Sequence, residues 1–217
     1  MIQKKLLLLD CDSTLSAIEG IDELARLRGE ETFLAVESMT RAAMEGGTAM
    51  EEIFARRLAL IQPSLHEVES IGRLYIAHIE PTARMALRTI RQAGWTPIIV
   101  SGGFKQAILP LAEHLEIERV EAVVLEFHPN GLYQGFSAES PTARSRGKNE
   151  VAKELRQEFA PHRMVMVGDG ASDLEVQGDV DFVVGFGGYA IREKVKAGAD
   201  AFIASLSELP ALLQKWS

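Results

Sequence analysis

The sequence predicts an α/β fold, a Rossmann-like parallel-sheet core with a small inserted helical cap and a β-ribbon. Three observations carry that expectation. Short, mainly apolar runs at residues 6–9, 95–101, 164–167 and 182–184 match strands covered on both faces, as in a parallel sheet. Each run ends in a polar or glycine-rich stretch, at Asp10, Gly102-Gly103, Gly168-Asp169-Gly170 and Gly185. Helical periodicity follows the strands, and strand then helix is the repeating unit of a parallel sheet.

The four leucines Leu6 to Leu9 form the first strand. After Thr14, Ile18, Ile21, Leu24, Ala25 and Leu27 recur at helical spacing, with Gly29 as the stop. Further helices are expected over residues 31–44, 49–60 and 65–79, separated by Gly46-Gly47 and Gln62-Pro63-Ser64. No strand signal interrupts this block. Residues 95–101 then form a buried strand and residues 105–115 its helix. Between Ala122 and Phe136, apolar stretches flank Pro129-Asn130-Gly131, and Asn-Gly favours a tight hairpin turn. Residues 148–159 are helical, and two more strands follow. The expected organisation is a discontinuous core, residues 1–15 and 79–217, with residues 16–78 inserted as a cap over the strand ends.

Composition narrows the class. The chain has 217 residues, 25% of them charged, with a net charge of −8, which disfavours nucleic acid or an anionic membrane as main partner. The single cysteine, Cys11, forms no internal disulfide, and no signal-like segment opens the chain, so a reducing cytoplasm is the expected address. The five histidines lack zinc-ligand spacing. Cys11 reads as a small buried hydrophobe.

Asp10 and Asp12 stand two apart at a strand end, where ligands of such sheets bind. On an extended segment they share a side and repel unless a proton or a hard cation such as Mg²⁺ joins them. Asp10 can attack phosphorus as a nucleophile, and Asp12 can give and take the proton. Asp10 and Asp169 can hold Mg²⁺, with Asp173 supporting the site from a helical turn away. The Ser101 hydroxyl and the Gly102 N–H, ahead of the helix at Lys105, can donate to phosphate oxygens, and Lys148 can add a point charge. An EF-hand reading of the aspartates fails, because Leu15 and Ile21 occupy the positions that need Gly and Glu. Gly185 to Ala190 formally matches a dinucleotide fingerprint, but only 27 residues follow.

Taken together, DCDST (10–14), SGG (101–103), Lys148 and GDGASD (168–173) resemble, in order, the four motifs of the haloacid dehalogenase superfamily of phosphatases. EGIDELARLRG (19–29), MTRAAMEGG (39–47), RRLALIQPS (56–64) and VGFGGYAIREKVK (184–196) extend the similarity to the branch that acts on phosphoserine, over nearly the whole chain.

The resemblance implies a Mg²⁺-dependent phosphomonoester hydrolase that passes through an aspartyl phosphate and serves serine biosynthesis. It implies Asp10 as nucleophile, Asp12 as acid/base, and Asp10, Asp169 and the Asp12 backbone carbonyl as metal ligands. Ser101, Gly102, Gly103 and Lys148 would hold phosphate, and the assignment of Lys148 rests almost wholly on this likeness. Glu19 would take the substrate ammonium and Arg57 its carboxylate, with Arg56 the adjacent alternative. Met44, Met50 and Ser172 would line the substrate. Met50 stands where relatives usually carry phenylalanine, and Ser172 where they carry Asn or Thr. Alternatives are another small-molecule phosphatase, a phosphotransferase passing the group to homoserine, and a non-catalytic phosphate- or nucleotide-binding module.

Overall fold

The computed structural model describes residues 4–45 and 50–216, with side chains throughout except at residues 43–45, 50 and 51. The side chains of Met44 and Met50 and the Gly46-Gly47 break therefore lie outside the described residues. The strands are β1 (Lys5–Leu9), β2 (Trp95–Phe104), β3 (Val120–Val123), β4 (Leu125–Phe127), β5 (Tyr133–Phe136), β6 (Arg163–Gly168), β7 (Phe182–Phe186) and β8 (Ala201–Ile203). Six of them form a parallel sheet in the order β3-β2-β1-β6-β7-β8, and β4 and β5 pair antiparallel as the expected ribbon.

The central strand is the leucine run. Leu7 sits opposite Pro97 of β2 and Val165 of β6, and Leu6 to Leu9 are all fully buried. Leu7 and Leu9 join one hydrophobic cluster, and Leu6 and Leu8 the other. Burial on both faces is why the run shows no alternation. Each leucine gains about 2 kcal/mol from leaving water. Pro97 is tolerated because β3 pairs with β2 only from Ile99 onward.

The helices of the inserted stretch are α1 (Gly20–Arg26), α2 (Glu30–Glu45), α3 (Met50–Ile61) and α4 (Leu65–Ala77). Ser64 and Glu67 form a capping box at the start of α4. The stretch leaves and rejoins the core through one neck. Ser16 bridges Ile79, Ala17 N donates to His78 O at 2.9 Å, and Glu80 N donates to Leu15 O at 2.9 Å. The ribbon supports it from the side, since Leu65 N donates to Gly131 O at 2.9 Å. Phe54 of α3 sits between Phe104 and Phe136, with ring centroids 6.0 and 5.1 Å away.

The remaining helices are α5 (Ala83–Gln92), α6 (Lys105–His114), α7 (Gly147–Phe159), α8 (Ala171–Leu174), α9 (Glu193–Gly198) and α10 (Leu209–Lys215). Ala83, Leu87 and Ile90 of α5 join the cluster that contains Leu7, while Val151 and Leu155 of α7 join the opposite one. Helices α5, α9 and α10 and strands β3 and β8 were not anticipated from the sequence. β2 runs three residues past the expected Ser101. The glycine stretch after β7 packs back on the core, with Gly187 N donating to Ile203 O and Phe186 edge-on to Tyr189. The helix that follows has six residues. No helix among the described residues is long and apolar enough to cross a membrane.

Candidate active site

β1 lies between β2 and β6, so the connections from the first strand and into the sixth diverge there. That divergence opens a crevice at the carboxyl ends of the strands. Asp10 leaves β1 into it, its N–H donating to Val167 O at 2.9 Å. Asp169 leaves β6, and Asp173 follows in α8. One carboxylate oxygen from each of these three buried residues lies within 4.8 Å of the others. Asp173 accepts the Gly170 N–H at 3.0 Å and lies so close under Gly168 that a Cβ there would fall 2.1 Å from its carboxyl carbon. Only glycine permits that approach.

Lys148 enters from the first turn of α7 and bridges two of the three. Its Nζ lies 3.0 Å from Asp10 Oδ2 and donates to Asp173 Oδ1 at 2.6 Å. Arg192 donates to the Asp169 carboxylate from the other side, and Thr14 Oγ1 lies 3.5 Å from Asp169 Oδ1. Burial alone would lower the Lys148 ammonium, but Asp10 and Asp173 outweigh it and push it up, so it stays charged. Burial and Asp10 raise the Asp173 carboxyl to about 7, against the pull of Lys148. Burial also raises Asp169, opposed by Arg192. Three buried carboxylates thus face two side-chain cations. An all-oxygen cluster with this surplus of negative charge fits a hard divalent cation.

Asp12 is not in that trio. The chain keeps extended backbone angles at Asp10 and Asp12. It turns at Ser13, whose φ is 49°, and Asp12 faces the helical stretch. Its Oδ1 accepts from Tyr75 Oη at 2.6 Å and from Gly20 N at 2.8 Å. Its Oδ2 lies 2.6 Å from where a Cβ on Gly103 would be, so a side chain at position 103 would collide with it. Burial, reinforced by the charge of Asp10, raises the Asp12 carboxyl to about 6, although Tyr75 and Gly20 pull it down. At the end of β2, Ser101 Oγ accepts the Gly103 N–H at 3.0 Å, which leaves the hydroxyl proton free to donate outward. Ser101, Gly102 and Gly103 line the same pocket as Asp10, Asp12 and Lys148, and Ser172 completes its floor.

Glu19 and Arg57 line this pocket too. Glu19 accepts from Ser13 Oγ at 2.6 Å, and burial, then the charge of Asp12, raises its carboxyl. Arg57 is 6% exposed. Its Nη1 donates to Thr40 Oγ1 at 3.1 Å, and its Nε is buried without a partner among the described residues. Arg56 instead points to solvent, 64% exposed, with a loose contact to Glu52. The geometry therefore separates the two neighbouring arginines that sequence reading left open.

Asp10, Lys148, Asp169 and Asp173 thus converge in one cluster, and Glu19 and Arg57 line the same pocket as Asp10 and Lys148. Tyr75, Ser13, Thr40, Asp22 and Arg192 were not singled out. Tyr75 reads in sequence as one more apolar residue of an amphipathic helix. Arg192 lay inside a noted motif, but nothing local signals its reach to Asp169.

The sequence matches the family model described as a haloacid dehalogenase-like hydrolase over residues 4–176. It is 39% identical over 208 residues to a phosphoserine phosphatase of Bos taurus, covering 95% of this chain and 92% of that protein. A solved phosphoserine phosphatase carrying an analogue of the phospho-aspartyl intermediate superposes with a TM-score of 0.84 at 28% identity, over 97% of this chain and 99% of the other. A substrate-bound phosphoserine phosphatase complex gives 0.82 at 26% identity, over 99% of each chain.

Proposed function

The chain belongs to the haloacid dehalogenase-like hydrolase family, and from that premise we propose that it hydrolyses O-phosphoserine to serine and phosphate through a phosphorylated Asp10. The observation that carries the reading is one pocket with three receptors. A carboxylate nucleophile beside Lys148 shares the lining with Glu19, a carboxyl group, and Arg57, a guanidinium. A phosphate ester of a zwitterion needs that combination. The guanidinium of Arg57 suits a carboxylate, and Glu19 suits an ammonium. The phosphoserine phosphatases to which the chain is similar support the same choice.

In this mechanism Lys148, the Ser101 hydroxyl and the Gly102 N–H bind the phosphoryl oxygens. Asp10 attacks phosphorus, the bond from phosphorus to the seryl oxygen breaks, and protonated Asp12 gives its proton to that oxygen. Asp12, now ionised, takes a proton from the water that attacks the aspartyl phosphate, freeing phosphate and restoring Asp10. A raised carboxyl near 6 suits a group that alternates between acid and base near neutrality. Asp10, Asp169 and the Asp12 backbone carbonyl, with Asp173 beside them, would hold Mg²⁺, which when bound would supply neutralisation of the repulsion between carboxylate and phosphate and polarisation of the phosphoryl group.

Residues 16–78 act as the cap that supplies Glu19 and Arg57, on a core made of residues 1–15 and 79–217. A reducing cytoplasmic setting suits the buried free thiol of Cys11, and the released serine makes this a terminal step of serine formation. The test is phosphate release from phosphoserine and from phosphoethanolamine, with Mg²⁺ or with EDTA. Mg²⁺-dependent release favouring phosphoserine is expected. Equal rates on both esters, or release undiminished by EDTA, would overturn the proposal.

A further inference from the structure

Glu19 and Arg57 carry opposite charges on one pocket wall, and the charge of Glu19 acts on Arg57, yet no ion pair joins them among the described residues. Attraction between a carboxylate and a guanidinium is strong where water is sparse. If the two collapsed together, a zwitterionic substrate would first have to break that pair, so something must hold them apart.

Hydroxyls do so on both sides. Ser13 Oγ donates to Glu19 Oε1 at 2.6 Å from a left-handed backbone position at the turn after Asp12. Opposite it, Thr40 Oγ1 donates to Asp22 Oδ1 at 2.7 Å and accepts from Arg57 Nη1 at 3.1 Å. Three helices of the stretch contribute one member each, Asp22 from α1, Thr40 from α2 and Arg57 from α3. The three are 9%, 5% and 6% exposed. The Thr40 hydroxyl has one proton to give, and Asp22 Oδ1 at 2.7 Å is nearer than the other acceptor, Val36 O at 3.1 Å, while Arg57 donates to the hydroxyl oxygen. The Nε of Arg57 is buried and has no partner among the described residues.

We infer that Thr40 and Asp22 are positioning residues that hold the Arg57 guanidinium off Glu19 and so keep the pocket preset for a substrate carrying both an ammonium and a carboxylate. The inference rests on the proposed roles of Glu19 and Arg57. It adds that selectivity depends on residues one step behind them.

The test is steady-state kinetics of the Mg²⁺-saturated protein on phosphoserine and phosphoethanolamine, with wild type, Thr40→Val, Thr40→Ser, Asp22→Asn and Arg57→Ala. Thr40→Val is expected to raise KM for phosphoserine about tenfold, through misplacement of a binding group, with kcat changed far less. KM for phosphoethanolamine, which has no carboxylate, moves little. Thr40→Ser restores the wild-type KM because it keeps the hydroxyl. In a Glu19→Gln background the Thr40→Val effect shrinks, since Arg57 then has no charged partner to collapse onto. Asp22→Asn, nearly isosteric, is expected to shift KM in the same direction and carries the test if Thr40→Val does not fold. Selective loss in Arg57→Ala with wild-type selectivity in Thr40→Val and Asp22→Asn would overturn the positioning role alone. No selective loss in Arg57→Ala would overturn the carboxylate assignment beneath it.

Discussion

Tyr75 Oη donates to Asp12 Oδ1 at 2.6 Å, joining the last turn of α4 to the carboxyl that moves the proton in the proposed reaction. This bond favours ionised Asp12. In Tyr75→Phe, Asp12 should therefore rise above its value of about 6. The alkaline fall of the pH–kcat profile should move up by about one unit, the scale expected for one hydrogen bond to a charged group. A profile superimposable on wild type would show that Tyr75 does not tune the proton donor.

Asp12 also costs stability. Its folded value, about 6, lies above the ordinary 3.8, so its contribution is fully favourable below pH 3.8 and is lost as pH rises through 6. Ionised Asp12 then weakens the metal-free protein at pH 8 by on the order of 2–3 kcal/mol. Asp12→Asn should be inactive yet more resistant to urea than wild type at pH 8 in EDTA. The advantage should vanish near pH 4, and an Asp12→Asn protein less stable than wild type at pH 8 would contradict the sign.

Lys148 holds two buried carboxylates at once. Lys148→Ala leaves both without their cation and should destabilise the protein by about 3 kcal/mol in urea unfolding. Phosphate release should fall by at least about a hundredfold, as when a preorganised charge is removed from a reacting centre. Retention of most of the activity would remove Lys148 from the phosphate site.

Away from the pocket, Arg28 grips Glu67 with both terminal nitrogens, at 2.7 and 2.8 Å, and Arg28 with the Ser64 backbone holds the Glu67 carboxyl down at about 2. A lowered acid stabilises above its ordinary value and stops doing so as pH falls toward the folded value. Solvent screening limits this pair to roughly 1 kcal/mol. The thermal midpoint of wild type should therefore drop more steeply from pH 5 to pH 3 than that of Glu67→Gln. Parallel slopes would show that the pair contributes nothing.

The parts of the fold that could be read in sequence are those buried on both faces. Leu6 to Leu9 and Met164 to Val167 admit no polar residue and announce themselves as central strands. β3 and β8 are edge strands of four and three residues, too short for a pattern. In α5, Ala83, Ala86, Leu87 and Ile90 do carry the helical spacing, but three arginines on ten residues mask it.

At the site, Asp10 and Asp169 were legible because each follows a core strand whose end lies at the same sheet edge, whereas Lys148 was reached almost wholly through the family resemblance. Asp12 was legible from its spacing to Asp10, but its bond to Tyr75 joins positions 63 residues apart in the chain. Tyr75, Thr40 and Asp22 act only through contacts between helices that are distant in sequence, and no local pattern encodes those contacts.

The transfer of phosphate to Asp10 is open to direct measurement. Acid quench of the Mg²⁺-loaded protein during turnover of radiolabelled phosphoserine, followed by peptide mass spectrometry, should find the phosphoryl group on the peptide containing Asp10 and nowhere in Asp10→Asn. Turnover persisting in Asp10→Asn, or label on a different residue, would contradict the mechanism.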